Sequence, residues 1–188
     1  ETQEAATNIE NLARRLAREI DYHRILKAVE AHNFKPRFQT VYAEEVVENM
    51  EVLFSKYASA REQSLERVEP ISSLRCYTDL TLLERVLINM VKNAFEATKS
   101  KKGIKIGCTE HSGSIRFFVW NDGVIPNSVR SRIFERSFTT KGEDGRGLGT
   151  YSMKLFGEIV LNGRVWFEST QEDGTTFYFE TPCKQEKG

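Results

Sequence analysis

This sequence of 188 residues has few cysteines, no excess of either charge and no long apolar run. Cys76, Cys108 and Cys183 lie too far apart for a metal knuckle, and three cysteines suit a reducing compartment better than a disulfide framework. The 27 basic residues balance the 27 acidic ones, which argues against nucleic acid as the main partner. No apolar run approaches the roughly 20 residues of a membrane span. These absences predict a cytoplasmic chain.

Residues 4–32 carry a long amphipathic pattern that predicts a helix. Its apolar positions are Ile9, Leu12, Leu16, Ile20, Leu26 and Val29. Pro36 should end the helix. A helix of this length needs a partner helix to bury its stripe, either from upstream sequence or from a second copy of the chain. Because the chain begins at Glu1 without Met, we expect a piece of a longer protein, in which any membrane anchor would lie upstream.

The rest of the chain alternates between helical and strand patterns. We predict helices over 43–60 and 80–100, a strand over 73–79, and two hairpins formed by 103–111 with 114–120 and by 164–170 with 175–181. Antiparallel strands with helices between them predict an α+β fold. It is a two-layer sandwich in which helices cover one face of a mixed sheet, preceded by the long N-terminal helix.

A glycine-rich, basic stretch, "FTTKGEDGRGLGTYSMK", runs from Phe138 to Lys154 into an apolar helical pattern. Glycines at a helix start leave backbone N–H groups available for an anion. The stretch lacks the Gly-Lys-Ser/Thr ending of a Walker loop and the preceding apolar strand of a dinucleotide fingerprint. Upstream, Asn89 and Asn93 share one helix face, near Lys92 and Glu96. They are either ordinary surface amides or ligands for an ion and phosphates.

Five short blocks follow one another in order: "NMVKNAFEA", "NDGVIP", "IFERSFTTK", "GRGLG" and "DGTTF". From about residue 42 to 182 the chain resembles the ATP-binding domain of sensor histidine kinases, within the GHKL superfamily of Bergerat-fold ATPases. The resemblance implies a catalytic ATP-binding domain over 41–188. It also implies that 1–40 is the second helix of a dimerisation and phosphoacceptor hairpin, whose first helix would precede Glu1.

The resemblance implies ATP and Mg²⁺ as cofactors and gives roles to residues by position. Asn93 matches the amide that binds Mg²⁺, and Asn89 stands where ATP-hydrolysing relatives have a glutamate base. We expect Asn89, Asn93 and Lys141 to be catalytic. The full set of expected ATP contacts is Asn89, Lys92, Asn93, Glu96, Asn121, Asp122, Gly123, Phe138, Thr140, Lys141, Gly145, Arg146, Gly147, Leu148, Gly149 and Thr175.

One position departs from the family pattern. The family usually has Asp two residues before the glycine of the "NDGVIP" block, where it accepts a hydrogen bond from the adenine amino group. Here Gly123 places Asn121 at that position, with Asp122 next to it. Either the amide oxygen of Asn121 accepts the bond without charge assistance, or Asp122 turns inward and takes its place.

The resemblance predicts transfer of the ATP γ-phosphate to a histidine outside this chain, for relay to an aspartate of a response regulator receiver domain. We expect His23 to be a packed residue, because the acidic neighbour and nearby proline of an acceptor are missing. A homodimer through the N-terminal helix is implied for the full-length protein. The alternative is a nucleotide-binding pseudokinase or docking module of the same fold. Asn89 and the long helix disfavour an ATPase or a protein serine kinase.

Overall fold

The computed structural model describes residues 2–68, 74–98, 103–138 and 147–183. The chain divides into two compact units, Glu1–Pro36 and Arg37–Gly188. The first unit is built on the predicted long helix, and the second contains the sheets with the other helices. None of the helices in the described ranges is long and apolar enough to cross a bilayer.

Helix α1 (Thr2–Glu30) confirms the predicted N-terminal helix. It ends before Pro36 in a turn where the N–H of Asn33 donates to the carbonyl of Ala28 at 2.8 Å. The apolar positions of α1 differ sharply in exposure: Leu26 and Val29 are buried, whereas Ile9, Leu16 and Ile20 are 55–69% exposed. The first five turns of α1 therefore present apolar side chains that nothing within this unit covers.

The second unit contains one five-stranded sheet, a separate two-stranded sheet and the remaining helices. The elements are β1 (Phe38–Tyr42), α2 (Ala43–Ala60), β2 (Leu65–Arg67), β3 (Arg75–Asp79), α3 (Leu80–Ala97), β4 (Ile104–His111), β5 (Ser114–Asn121), a 3₁₀ helix (Asn127–Arg132), α4 (Gly149–Lys154), a π-helical continuation (Leu155–Val160), β6 (Arg164–Thr170) and β7 (Gly174–Pro182). The large sheet has the order β2-β4-β5-β7-β6, with β2 parallel to β4 and the other pairs antiparallel.

The core lies between the large sheet and the helices on one of its faces. Strand β5 shows this directly, because Ile115, Phe117, Val119 and Asn121 are buried and the residues between them are half-buried. Helix α3 packs eight buried apolar residues on its inner side: Leu82, Leu83, Val86, Leu87, Met90, Val91, Ala94 and Phe95. This arrangement confirms the predicted two-layer α+β fold.

Both predicted hairpins are present, and their turns explain their sequences. Ser112 and Gly113 both have positive φ, at 50° and 76°, the backbone that joins two twisted antiparallel strands through two residues. Gly174 (φ 75°) ends the second turn, where a β-carbon would collide with the carbonyl of Asn121. That close approach places the start of β7 against the end of β5.

Three features differ from the predictions. Strands β1 and β2 were not predicted, because five and three residues are too short for a clear alternation. Strand β3 pairs with β1 in the small sheet instead of joining the large one. The helical pattern after Gly149 is confirmed, but its second half is a π-helix. Within it, a β-carbon on Gly157 would lie 2.6 Å from Val165 and 3.0 Å from Phe179.

The cysteines of the described ranges are free thiols, as the sequence led us to expect. Cys76 in β3 and Cys108 in β4 are buried, and Cys183 follows β7 half-buried. Burial is the main reason why the pKa of Cys76 rises to about 12. A neutral thiol behaves as a small apolar side chain in this core.

The start of α3 depends on Asp79, a buried carboxylate that accepts two backbone hydrogen bonds. Its Oδ1 accepts from the N–H of Leu82 at 3.0 Å, and its Oδ2 accepts from the N–H of Arg37 at 2.6 Å. We predict that Asp79→Ala lowers the free energy of unfolding by about 1–3 kcal/mol, because a helix cap is lost and a buried donor is left unmatched. Urea unfolding measures the change, with the exposed Thr81→Ala as the matched control. Equal stability of the two variants would contradict this role.

Candidate functional site

Asn89 and Asn93 lie on α3 beside its buried face, one helical turn apart. Both amide oxygens approach Gly149, the first residue of α4. A β-carbon on Gly149 would lie 3.8 Å from Oδ1 of Asn89 and 3.9 Å from Oδ1 of Asn93. Two amide oxygens thus converge on Gly149, where a β-carbon would be in van der Waals contact with both, and they can bind a cation or accept hydrogen bonds.

Ser152 fixes the orientation of the Asn89 amide. Its hydroxyl donates to the carbonyl of Gly149 at 2.9 Å and accepts from Nδ2 of Asn89 at 3.0 Å. Because the nitrogen of the amide is held by Ser152, its oxygen must point the other way. Ser152 was not among the predicted site residues. The available signal was a serine three residues after Gly149 in an apolar helical pattern.

A second group of polar residues surrounds the turn at Gly123. The N–H of Gly123 donates to Oδ1 of Asn121 at 2.8 Å, and the hydroxyl of Thr175 donates to its carbonyl at 2.7 Å. Asn121 and Thr175 are register partners on β5 and β7. A β-carbon on Gly123 would lie 2.7 Å from the carbonyl of Ala97, so the turn packs directly on the last residue of α3.

The two groups are thus connected along α3, from Asn89 through Asn93 to Ala97. Eight residues of helix span about 12 Å, at a rise of roughly 1.5 Å for each residue. This distance suits an extended ligand with chemically different ends. The amide oxygens lie at one end, and the Gly123 turn with its hydroxyl and amide neighbours lies at the other.

Ser169 and Arg130 hold the far side of the turn. Ser169 Oγ accepts from the N–H of Ile125 at 2.9 Å and lies 2.8 Å from Oγ1 of Thr175. Arg130 donates to the carbonyls of Ser169 at 2.6 Å and Ile125 at 3.2 Å. Neither residue was predicted, since each makes contacts 39 or more residues away in the sequence. An inward-facing serine in the apolar strand β6 was the one local signal.

The structure brings together several of the predicted site residues. Asn89, Asn93 and Gly149 form one end, and Asn121, Gly123 and Thr175 form the other. Asp122 is half-buried beside Asn121, and Leu148 is half-buried before Gly149. Lys92 and Glu96 are exposed on α3.

Two further predicted residues, Gly147 and Phe138, belong to the part of the sequence that leads into α4. Gly147 has φ 59° and its carbonyl accepts from the N–H of Ser137 at 3.1 Å, which ties residue 137 to residue 147. Phe138 is half-buried, with the guanidinium of Arg132 4.6 Å from its ring centroid. The predicted contacts Thr140, Lys141, Gly145 and Arg146 lie outside the described residues.

The described groups that form the two ends of the site are uncharged amides and hydroxyls. Asn121 and Thr175 are almost fully buried, at 1% and 2% exposure. No cluster of three or more His, Cys, Asp or Glu residues that could hold a metal ion occurs within the described ranges. The chemistry that this part of the site offers is therefore hydrogen bonding and amide-oxygen ligation.

Comparison with known proteins identifies the fold and the family. The model of the family described as histidine kinase-, DNA gyrase B-, and HSP90-like ATPases matches residues 78–185, more than half of the chain. The solved catalytic domain of the histidine kinase ThkA superposes with a TM-score of 0.71 at 32% identity, covering 78% of this chain and 96% of that one. The chain belongs to this family, and it carries the ATP-binding catalytic domain found in sensor histidine kinases.

The curated relatives include sensor proteins and kinases of several bacteria. The C4-dicarboxylate transport sensor protein DctB of Rhizobium meliloti (strain 1021) is 35% identical over 138 residues, which are 71% of this chain and 21% of that protein. Sporulation kinase A of Bacillus subtilis (strain 168) is 38% identical over 109 residues, 56% of this chain and 17% of that protein. The chain therefore spans about a fifth of the length of these relatives.

We predict that Thr175→Val weakens nucleotide binding and lowers stability by about 1–2 kcal/mol, because Val keeps the shape but leaves the Gly123 carbonyl and Ser169 without a hydroxyl partner. Isothermal titration with ADP and Mg²⁺, together with urea unfolding, measures both effects. Thr181→Val is the matched control, since Thr181 is buried at the opposite end of the same strand. Equal loss of nucleotide affinity in both variants would refute a local role for Thr175.

Proposed function

We propose that this chain uses ATP to phosphorylate a histidine outside the chain, for relay to an aspartate of a response regulator receiver domain. The observation that carries the proposal is the convergence of the Asn89 and Asn93 amide oxygens beside Gly149. Support comes from the solved complex of histidine kinase ThkA with the response regulator protein TrrA. Its kinase aligns with 96% of this chain at 28% identity and a TM-score of 0.68.

The residues at the amide end fit Mg²⁺ as the cofactor. Mg²⁺ takes oxygen ligands, keeps several waters and needs few protein groups when phosphates supply the others. Oδ1 of Asn93 offers such an oxygen next to the space left by Gly149. An ion held there would supply positive charge that neutralises the charge of the phosphates. Asn93 would hold the ion, and Gly149 would let the phosphates approach without a steric clash.

Asn89 supports transfer over hydrolysis. An amide has no basic site at neutral pH, so Asn89 is unable to remove a proton from an attacking water. Its nitrogen is also engaged with Ser152 at 3.0 Å. We propose that the Asn89 oxygen, which can only accept, acts on the phosphates through Mg²⁺ or a water, and that bound ATP remains available to a protein acceptor.

The other end of the site suits the base. Phosphates are negatively charged and need basic side chains or a metal ion, whereas a purine needs buried, neutral hydrogen-bonding groups. Asn121, Gly123 and Thr175 provide such groups. The resemblance supports further ATP contacts between the two ends of the site and along residues 138–149. These residues are Lys92, Glu96, Asp122, Phe138, Thr140, Lys141, Gly145, Arg146, Gly147 and Leu148. Lys141 and Arg146 would form ion pairs with the phosphates.

We propose that residues 1–40 belong to a dimerisation hairpin and residues 41–188 to the catalytic domain. The exposed apolar stripe of Ile9, Leu16 and Ile20 supports a helical partner, including a second copy of the protein. A cytoplasmic location accords with ATP as the substrate and with free thiols at the three cysteines.

We predict that Asn93→Ala weakens binding of ATP analogue with Mg²⁺ by about 10-fold or more, because the ion loses a ligand oxygen. Without Mg²⁺ the variant and the parent should bind the analogue with similar, weaker affinity. Isothermal titration in both conditions measures the difference. The control is Asn49→Ala, the same change at an exposed position of α2. Unchanged affinity of Asn93→Ala for the magnesium complex would contradict the assignment.

A second prediction concerns the acceptor. His23 is half-buried, with Nε2 3.4 Å from Glu19 and its ring edge-on to Tyr22. We predict that the isolated chain binds ATP but gains no acid-labile phosphate from radiolabelled ATP. Nucleotide binding is measured in the same sample as a check on folding. Labelling that disappears in His23→Ala and persists in His32→Ala would place the acceptor within the chain and overturn the proposal.

A further inference from the structure

The amide of Asn121 has its oxygen already engaged. Oδ1 accepts from the N–H of Gly123 at 2.8 Å. Only the oxygen of an amide can accept a hydrogen bond, so this contact fixes the orientation of the group and turns the NH₂ away from the turn. Among the described residues, the side-chain hydrogen bond of Asn121 is made through this oxygen and not through Nδ2. The side chain therefore offers two donors to whatever occupies this end of the site.

Reversing the amide would be unfavourable. Nδ2 would then face the N–H of Gly123, which places two donors together and leaves a buried backbone group without an acceptor. The backbone of the turn is held on two sides: Gly123 packs so closely on α3 that a β-carbon would lie 2.7 Å from the carbonyl of Ala97, and Thr175 donates to the Gly123 carbonyl. The observed orientation is thus imposed by the backbone of the turn.

The neighbouring hydroxyls supply no competing donor. A carbonyl can only accept, so the hydroxyl proton of Thr175 must go to Gly123. The contact of 2.8 Å between Thr175 and Ser169 must then use the proton of Ser169. The hydroxyls form a directed chain that ends at the turn. Of the three side chains Asn121, Ser169 and Thr175, the one with a donor left available is Asn121, through its amide nitrogen.

An aspartate at this position would present an acceptor to the base, whereas Asn121 presents a donor. The amino group on carbon 6 of adenine is itself a donor, while a 6-oxopurine carries an acceptor oxygen there. We propose that Asn121 is a specificity-determining residue whose NH₂ group reads the purine at position 6. The site then accepts 6-oxopurine nucleotides at least as well as adenine nucleotides. This inference rests on the proposed function, because it assumes that a purine nucleotide binds here.

Isothermal titration of the chain with ADP and with inosine diphosphate, both with Mg²⁺, tests the inference. The two probes differ at position 6 and in protonation of the adjacent nitrogen. The parent should bind inosine diphosphate at least as tightly as ADP. Asn121→Asp should shift the ratio of the two affinities toward ADP by about 10- to 100-fold, because a carboxylate accepts from the amino group and repels the oxo group. Asn49→Asp should leave the parent ratio unchanged.

Other results of these titrations would contradict either the inference or the proposed function. A parent that binds ADP more tightly than inosine diphosphate would overturn the inference while leaving the proposed function intact. If that preference is lost in Asp122→Asn, the carboxylate of Asp122 reads the base, and Asn121 does not. Failure of the folded parent to bind either nucleotide would overturn the proposed function and this inference with it. Thermal unfolding of every variant shows whether a loss of binding reflects a loss of fold.

Discussion

The burial of one face of α3 against the large sheet sets the position of Asn89 and Asn93 and of Ala97, on which the Gly123 turn packs. Leu83, Leu87 and Val91 are fully buried, so the rotation of the helix about its axis is fixed. Turning α3 by one residue would expose part of this surface and bury Asn89 and Asn93, at a cost of roughly 25 cal/mol for each Å² of apolar area exposed, in addition to amide desolvation. Hydrophobic packing thus sets the direction of two polar side chains.

The second group of residues is organised differently, by hydrogen bonds to the backbone of a turn. The peptide groups of Gly123 and Ile125 bond to Asn121, Thr175, Ser169 and Arg130. A turn held from four sides does not reorganise when a ligand arrives, so little binding free energy is lost in ordering it. The arrangement also means that its side chains have few hydrogen-bonding groups left, which makes the remaining ones decisive.

Local patterns were sufficient to predict α1, α3, both hairpins and the spacing of Asn89 and Asn93. Each depends on residues close in sequence, where periodicity and turn chemistry act. Ser152 and Arg130 could not be found in this way. Ser152 meets Asn89 63 residues away, and Arg130 meets Ser169 39 residues away. Such contacts follow from how the elements pack, and a single sequence carries no periodic signal for them. The predicted roles of the site residues remain predictions.

Cys76 lies in β3 at 2% exposure, and burial raises its pKa from 9.0 to about 12. The folded chain favours the neutral thiol over the thiolate. The contribution of this preference to the free energy of unfolding is therefore complete below pH 9 and is lost as the pH rises toward 12. At neutral pH the thiolate that reacts with alkylating agents and oxidants is scarce in the folded state. Chemical modification of Cys76 therefore proceeds through opening of the small sheet, and its rate records how often β3 separates from the core.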